Sequence, residues 1–183
     1  MTAVLTRRSE QRLSEPAPGD EEFIYLLNGA AAAPDHGRLR PWRWILLRGA
    51  DREPLAARLA QEAAQEATAE EREQIARKAL RAPLKALLVF SPVTGPKVPE
   101  WEQLAATSSM AYGLMLLLHV RGYGSIWRTG RLCESTAAAE LLGLRPGERL
   151  LGSLDIGTPD RSSGPPVRRE RDDVADRVSC FTA

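Results

Sequence analysis

The hydrophobic pattern of this chain switches between stretches with a helical period and short apolar runs typical of strands. From Asp20 to Ala33, apolar residues recur every three or four positions behind an acidic start, which predicts a helix. Apolar runs bounded by proline, glycine or charged residues predict strands at Trp42–Arg48, Leu84–Phe90, Tyr123–Thr129 and Arg149–Ile156. The first of these runs predicts burial on both faces and the second a buried strand. The tail Val174–Ala183 is also strand-like.

Capping signals place further helices between the strands. Asp51 is expected to cap a helix that reaches about Ala67, and the capping box Thr68-x-x-Glu71 restarts it. A short helix is predicted over Glu134–Leu142. Because helices and strands follow one another in an irregular order, the pattern predicts an α+β or α/β class with one sheet.

The most apolar element is a long predicted helix over Glu100–Arg121, ended by Gly122. From Met110 onward it is apolar on nearly all sides, so it must be covered on every side. A small domain rarely encloses such a helix alone, and a partner subunit is the expected cover. The apolar run Met110–Val120 has only 11 residues, whereas a membrane span needs about 20, so no membrane segment is predicted.

Composition narrows the class of protein. The 183 residues include 25 Lys and Arg against 24 Asp and Glu, and the net charge of +1 argues against nucleic-acid binding. The length fits one domain, and a hydrophobic share of 43% argues against disorder. The N-terminus does not read as a signal peptide, and Cys133 and Cys180 have no metal-binding spacing. These features predict a cytoplasmic protein.

The common catalytic and metal-binding motifs are absent from the sequence. It contains no GxxxxGK[ST], GxSxG or HExxH motif and no complete GxGxxG. His36 and His119 are the only histidines, which leaves too few nitrogen and sulfur ligands for a zinc site. We therefore expect no metal and assign no catalytic residue.

Three segments could bind an anion. They are Arg7-Arg8-Ser9, the corner Pro34–Trp42 with His36, and a strand end formed by Arg128, Thr129 and Gly130. Arginine binds oxyanions through paired hydrogen bonds, and a glycine leaves backbone amides accessible. Each segment also has a plain structural interpretation: a solvated basic turn, a loop whose Asp35 caps backbone amides, and a turn with a surface arginine.

The order and spacing of four motifs resemble the FMN-dependent NAD(P)H nitroreductase family. The motifs are RRS near the N-terminus, APDHGRLRPWRW, VPEWEQ and GYGSIWRTG, and the resemblance extends over essentially the whole chain. It is closest to compact members that have a PDH-type corner. The resemblance implies one FMN-binding domain over residues 1–183 with an α+β fold and a central mixed sheet flanked by helices. It also implies a homodimer in which the C-terminal strand, Val178–Ala183 here, is exchanged between subunits.

The resemblance further implies the site and the activity. Arg7–Ser9 matches a segment that holds FMN, His36 matches a corner residue that reaches FMN from the other subunit, and Arg128–Gly130 matches a second flavin segment. The implied enzyme is an oxidoreductase that passes hydride from NADH or NADPH through FMN to a nitroaromatic, quinone or enone in a ping-pong cycle.

The chain departs from the family pattern at the PDH corner and its surroundings. Leu39 and Arg40 stand where many members have Asn and Gln, and Ala32 stands where others carry a larger polar contact. Candidates for a basic C-terminal phosphate contact are Arg168, Arg169 and Arg171. Two alternatives stay open: a protein that stores or senses FMN without turnover, and a flavin-free dimeric interaction protein.

Overall fold

The computed structural model describes residues 2–95, 97–162, 164 and 167–181, without the side chain of Gln65. Its helices are α1 (Thr2–Thr6), α2 (Asp20–Ala30), α3 (Glu53–Glu62), α4 (Ala69–Ala79), α5 (Glu100–Val120), α6 (Arg131–Glu134) and α7 (Thr136–Leu141). Its strands are β1 (Leu13–Ser14), β2 (Trp42–Arg48), β3 (Leu84–Phe90), β4 (Gly124–Arg128) and β5 (Arg149–Pro159). Short 3₁₀ turns cover His36–Arg38, Gly49–Arg52, Ala63–Gln65 and Ala175–Arg177.

One sheet organises the fold, with the long strand β5 at its centre. Strand β3 pairs with one edge of β5, while β4 and β1 pair with the other, and β2 lies outside β3. These strand pairs are antiparallel, and an isolated parallel bridge joins Ser9 to Ser125 at β4. The α+β class with a mixed sheet is thereby confirmed. The fifth strand described here, β1, comes from the same chain.

The two faces of the sheet carry separate packing clusters. On the face that we call the α5 face, Leu84, Ala86 and Leu88 of β3 pack against α2 and α5. On the opposite face, the α3 face, Leu87 and Val89 pack against Leu55 of α3 and its neighbours. Successive side chains of a strand point to opposite faces, which explains why β3 is buried along its whole length.

The prediction that Trp42–Arg48 is buried on both faces is wrong, because β2 is an edge strand and its residues are all half-buried. Its exact bounds and those of β3 are confirmed. The capping box is confirmed too: the Thr68 side chain accepts from the Glu71 backbone N–H, and the Glu71 carboxylate accepts from the Thr68 N–H. Asp51, by contrast, lies in a 3₁₀ turn, and α3 begins at Glu53 with no side-chain cap.

Two predicted elements differ in the C-terminal half. The helix expected over Glu134–Leu142 is interrupted at Ser135, whose hydroxyl accepts from the Ala138 N–H at 2.9 Å and starts α7. The strand expected over Val174–Ala183 is not formed by its described residues, which contain only a 3₁₀ turn and exposed chain. Thr182 and Ala183 lie outside the described residues. A strand forms only against a partner strand, and the described residues of this tail pair with no described strand of their own chain.

Helix α5 is long and apolar enough, by length and composition, to cross a membrane, but it packs on the sheet as a core helix. Met110, Leu114 and Leu118 are buried there. Part of the apolar surface of α5 and α2 is exposed to solvent: Val120 of α5 and Tyr25 of α2 are each 68% exposed. One chain therefore covers this helix only in part.

Candidate functional site

Four arginines from three parts of the chain meet at the outer edge of β4. Arg7 and Arg8 follow α1, and the segment after them runs beside β4, where the Glu10 N–H donates to the Ser125 carbonyl at 3.2 Å. Arg161 follows β5, and its guanidinium lies 3.1 Å from a Glu10 carboxylate oxygen. Arg169 joins from the C-terminal segment, where its backbone N–H donates to the Leu5 carbonyl at 2.9 Å. We call Arg7, Arg8, Arg161 and Arg169 the arginine cluster.

Arg8 ties the C-terminal segment to α1. Its guanidinium donates to the Leu5 carbonyl at 2.9 Å, to the Arg7 carbonyl at 3.2 Å and to the Val167 carbonyl. Desolvation lowers the pKa of Arg8, and the positive charges of Arg169 and Arg7 lower it further. Arg8 thus has most of its donors occupied, and it lies among like charges.

Arg7 holds an unused donor. Its Nη1 is buried and has no hydrogen-bond partner among the described residues. Buried N–H groups in native proteins nearly always have an acceptor, and leaving one unpaired costs about 1–3 kcal/mol. An anion oxygen at this position would complete the bonding of Arg7 and reduce the repulsion within the arginine cluster.

His119, near the end of α5, faces the arginine cluster. Its Nε2 lies 2.7 Å from the Thr6 hydroxyl. Desolvation lowers the pKa of His119, as do Arg161, Arg7 and Arg8, while Glu10 acts in the opposite direction. The surroundings therefore favour neutral imidazole at neutral pH, and a site that disfavours one more positive charge favours a negative one.

The PDH corner lies at the other end of α5. His36 Nδ1 is 2.9 Å from the Glu102 carboxylate, and its side chain is 69% exposed. The Asp35 carboxylate accepts from the backbone N–H groups of Leu39 and Arg40 at 3.2 and 2.8 Å, as the loop interpretation expected. Glu102, the partner of His36, and His119 are 17 residues apart on α5 (102 to 119), which is about 25 Å along the helix. Within one chain, His36 and the arginine cluster are therefore distant from each other.

The segment Arg128–Gly130 combines a paired side chain with exposed backbone at the end of β4. The Arg128 side chain points to the α3 face, where its Nε donates to Asp155 at 2.8 Å. Thr129 and Gly130 are exposed at the strand end, and Gly130 has φ 87° and ψ −143°, a conformation essentially restricted to glycine. Ser125 and Arg128 are separated by three residues along β4, about 10 Å.

The predicted site residues fall into two groups, those along β4 and those that lie away from it. Arg7, Arg8 and Ser9 lie together along β4, and the exposed backbone of Thr129 and Gly130 lies further along the same strand. The Arg128 side chain points elsewhere, and His36 is remote within the chain. Sequence reasoning missed Arg161 and His119 in this cluster, because only their long-range contacts with Glu10 and Thr6 near the N-terminus bring them there.

Comparisons with known proteins agree with this fold. Residues 4–158 match the model of the Nitroreductase family. The chain is 35% identical over 157 residues to the Escherichia coli (strain K12) protein named "Putative NAD(P)H nitroreductase YdjA", covering 85% of this chain and 86% of that protein. A crystal structure of a nitroreductase-like family protein from Bacillus cereus matches with a TM-score of 0.82 and 26% identity, covering 100% of this chain and 95% of that one.

A second solved structure shares the fold at lower sequence identity. It is the FMN and NADPH-dependent nitroreductase NfnB from sphigopyxis sp. strain HMH, with a TM-score of 0.73, 20% identity and coverage of 99% of this chain and 97% of that one. The family model covers most of the chain, and the relative from Escherichia coli exceeds 30% identity. The chain therefore belongs to the nitroreductase family.

Proposed function

We propose that residues 1–183 form a single FMN-binding domain that transfers hydride from NADH or NADPH to a small-molecule electron acceptor. The observation that carries the proposal is the buried Nη1 of Arg7, which has no hydrogen-bond partner among the residues that the structure describes, within the arginine cluster. The relative from Escherichia coli is named for NAD(P)H, and NfnB is described as dependent on FMN and NADPH. These names support the same cofactor and donor here.

The residues present fit a phosphate monoester such as that of FMN. Such a group carries nearly two negative charges and three acceptor oxygens. Arg7 offers a free buried donor, and Arg8 and Arg169 add positive charge beside it. We assign the phosphate to these three residues and the neighbouring hydroxyl contact to Ser9. Arg161 is partly neutralised by Glu10 and contributes mainly to the field around the phosphate.

The other end of an FMN molecule would lie toward Thr129 and Gly130. Their backbone is exposed, and Gly130, which its positive φ favours, has no side chain in the approach to it. We assign the flavin-ring contacts to this backbone and not to the Arg128 side chain, which is paired with Asp155. Bound FMN supplies the hydride chemistry, while the protein supplies orientation and electrostatics.

We propose a ping-pong cycle in which NAD(P)H and the acceptor use one binding place in turn. Nitroaromatics, quinones and enones are the acceptor classes for which a flavin is suited. No side chain is assigned as a catalytic acid, since the chemistry is carried by the cofactor. The proposed location is the cytoplasm.

A homodimer completes this proposal. Apolar side chains on α2 and α5 stay exposed, among them Ile24, Tyr25 and Val120. In the C-terminal tail, Val178 is 71% exposed and Phe181 is 93% exposed, so the described part of their own chain leaves both side chains uncovered. We propose that α5 and α2 pack against a second copy, that the tail from Val178 adds a strand to that copy, and that His36 reaches the partner's FMN.

Purified protein tests the proposal through its colour and size. We expect a dimer by light scattering that takes up one FMN per chain, with a visible flavin band that NADH or NADPH removes under anaerobic conditions. A dimer that holds FMN but resists both donors would indicate a storing or sensing protein. A dimer without any flavin affinity would indicate a flavin-free interaction protein, and the enzyme proposal would be abandoned.

A further inference from the structure

A cavity of about 420 Å³ lies on the α3 face of the sheet. Its volume falls within the range of small-molecule sites. Its apolar wall is made by side chains of α3, α4 and α6, namely Leu55, Leu59, Ile75, Ala79 and Leu132. Its lining also includes four cationic residues, Lys78, Lys85, Arg128 and Arg131. Among the described lining residues there is no acidic one.

The floor of the cavity is a buried cluster of charges. The side chains of Lys85 and Asp155 are 4% and 1% exposed, and the Lys85 ammonium donates to one Asp155 oxygen. Arg128 Nε donates to the other oxygen at 2.8 Å, and the Ser153 hydroxyl lies 3.4 Å from Lys85 Nζ. The sheet register explains this meeting, since Lys85 and Ile126 face Asp155 from both sides and Arg128 is opposite Ser153. One carboxylate thus serves two cations, which leaves a positive charge in excess.

The rim of the cavity does not supply the missing negative charge. Arg131 lies 3.4 Å from Glu66, and both side chains are more than half exposed, so this contact is screened by water. Lys78 makes no salt bridge within the part of the chain that the structure describes. The excess positive charge of the floor lies beside an apolar wall. A bound anion with an apolar group attached would neutralise that charge and cover the wall.

We propose that this cavity binds a small monocarboxylate with an apolar body. The carboxylate lies beside Lys85 and Arg128 as the second anion of the floor cluster, and the body packs against Leu55, Leu59 and Ile75. A charged head with an apolar body matches both parts of the lining, whereas a fully hydrated anion such as phosphate leaves the apolar wall uncovered.

This site is separate from the arginine cluster. Lys85 and Asp155 point to the α3 face, whereas His119 belongs to α5 on the opposite face. Thr129 lines the cavity and also lies in the proposed flavin segment, so the two sites meet at the end of β4. A carboxylate bound in the cavity would therefore be next to the flavin-binding backbone without occupying the phosphate position.

Calorimetric titration of the FMN-loaded protein with 1-naphthoate tests the proposal, with 1-naphthamide as an uncharged probe of the same shape. We expect naphthoate to bind at least about tenfold more tightly than the amide, as one charge-assisted hydrogen bond requires. Lys85→Met removes the excess positive charge and should abolish that preference. Lys78 is exposed, so Lys78→Met should not impair folding. It should weaken naphthoate binding about two- to threefold, because it removes a positive charge whose effect water partly screens. Arg77→Met is its matched control, with the same charge loss at a neighbouring position outside the cavity lining, and should leave binding unchanged.

Three results would overturn the inference. Equal affinity for acid and amide would show that the floor cluster holds no anion. Inorganic phosphate binding as tightly as naphthoate would show that the apolar wall plays no part. Displacement of FMN by naphthoate would show that the cavity is part of the flavin pocket. A chain that binds naphthoate but no FMN would refute the proposed function while supporting this site.

Discussion

Replacing Arg7 by methionine separates a ligand-binding arginine from a structural one. The buried Nη1 of Arg7 has no partner in the described part of the chain, and Arg7 lies close to Arg8, so Arg7 destabilises the FMN-free protein. Methionine keeps an apolar stem of similar length and removes both the unpaired donor and the repulsion. We therefore expect the free energy of unfolding of the FMN-free protein to stay constant or to rise by about 1 kcal/mol, measured by urea titration.

FMN affinity should change in the opposite direction. A charge-assisted hydrogen bond contributes about 1.5–3 kcal/mol, so Arg7→Met should raise the Kd for FMN by about 10- to 150-fold in a fluorescence titration. Arg12→Met is the matched control: its side chain is 85% exposed, lies 3.6 Å from Asp160, and loses the same charge from the same segment. We expect its Kd to change less than threefold.

The combination of results decides the role of Arg7. A Kd within threefold of the parent protein, or a loss equal to that of Arg12→Met, would refute its assignment to the phosphate. A fall of more than about 1 kcal/mol in the stability of the FMN-free variant would show that Arg7 is a structural residue, since an unpaired buried donor should be dispensable.

Three further predictions concern the scaffold. The largely buried Glu148 carboxylate accepts hydrogen bonds from Arg43 and Arg145, and these contacts hold its pKa well below the usual value of 4.5. Its contribution to the free energy of unfolding is therefore present above pH 4.5 and is lost as the pH falls below 4.5. Glu148→Gln should lower the free energy of unfolding by about 3 kcal/mol at pH 7 and flatten its dependence on acid pH. Gly152→Ala places a Cβ 2.2 Å from the Arg128 carbonyl oxygen at φ 121°, so it should cost about 3 kcal/mol or more in urea unfolding. Thr68→Ala removes the capping box of α4 and should cost about 1 kcal/mol, measured in the same way.

Each of these has a contrary outcome. If the free energy of unfolding of Glu148→Gln falls with acid pH as steeply as that of the parent protein, the Glu148 carboxylate is not the group responsible for this fall. Full stability of Gly152→Ala would mean that β5 relaxes freely around its register shift with β3, which falls between Gly152 and Leu150. Thr68→Ser, which keeps the hydroxyl, is the control for the cap.

Local patterns in the sequence predicted the elements that depend on local physics. The bounds of β2 and β3 follow from apolar runs between breakers, and the Thr68–Glu71 box needs only four consecutive residues. The two-residue strand β1 has no comparable signal, because its existence depends on the end of β5. Burial of β2 was overestimated for the same reason, since the position of a strand in the sheet is a long-range property.

The candidate site shows the same division. The motif Arg7-Arg8-Ser9 marked the N-terminal part of the arginine cluster, but Arg161 and His119 join it only through pairing with distant strands. Alternation along β4 sends the Arg128 side chain to the α3 face, a direction that depends on its register with β5. The buried Lys85–Asp155 pair stayed hidden because an apolar run with one lysine is typical of an ordinary strand.

The visible absorbance of FMN-loaded protein under anaerobic conditions, before and after addition of NADH or NADPH, tests the central claim most directly. The proposed function predicts that at least one donor removes the flavin band within seconds and that a quinone or nitroaromatic acceptor restores it. Protein that binds FMN stoichiometrically but keeps its band with both donors would contradict the claim that this chain is an NAD(P)H-dependent oxidoreductase.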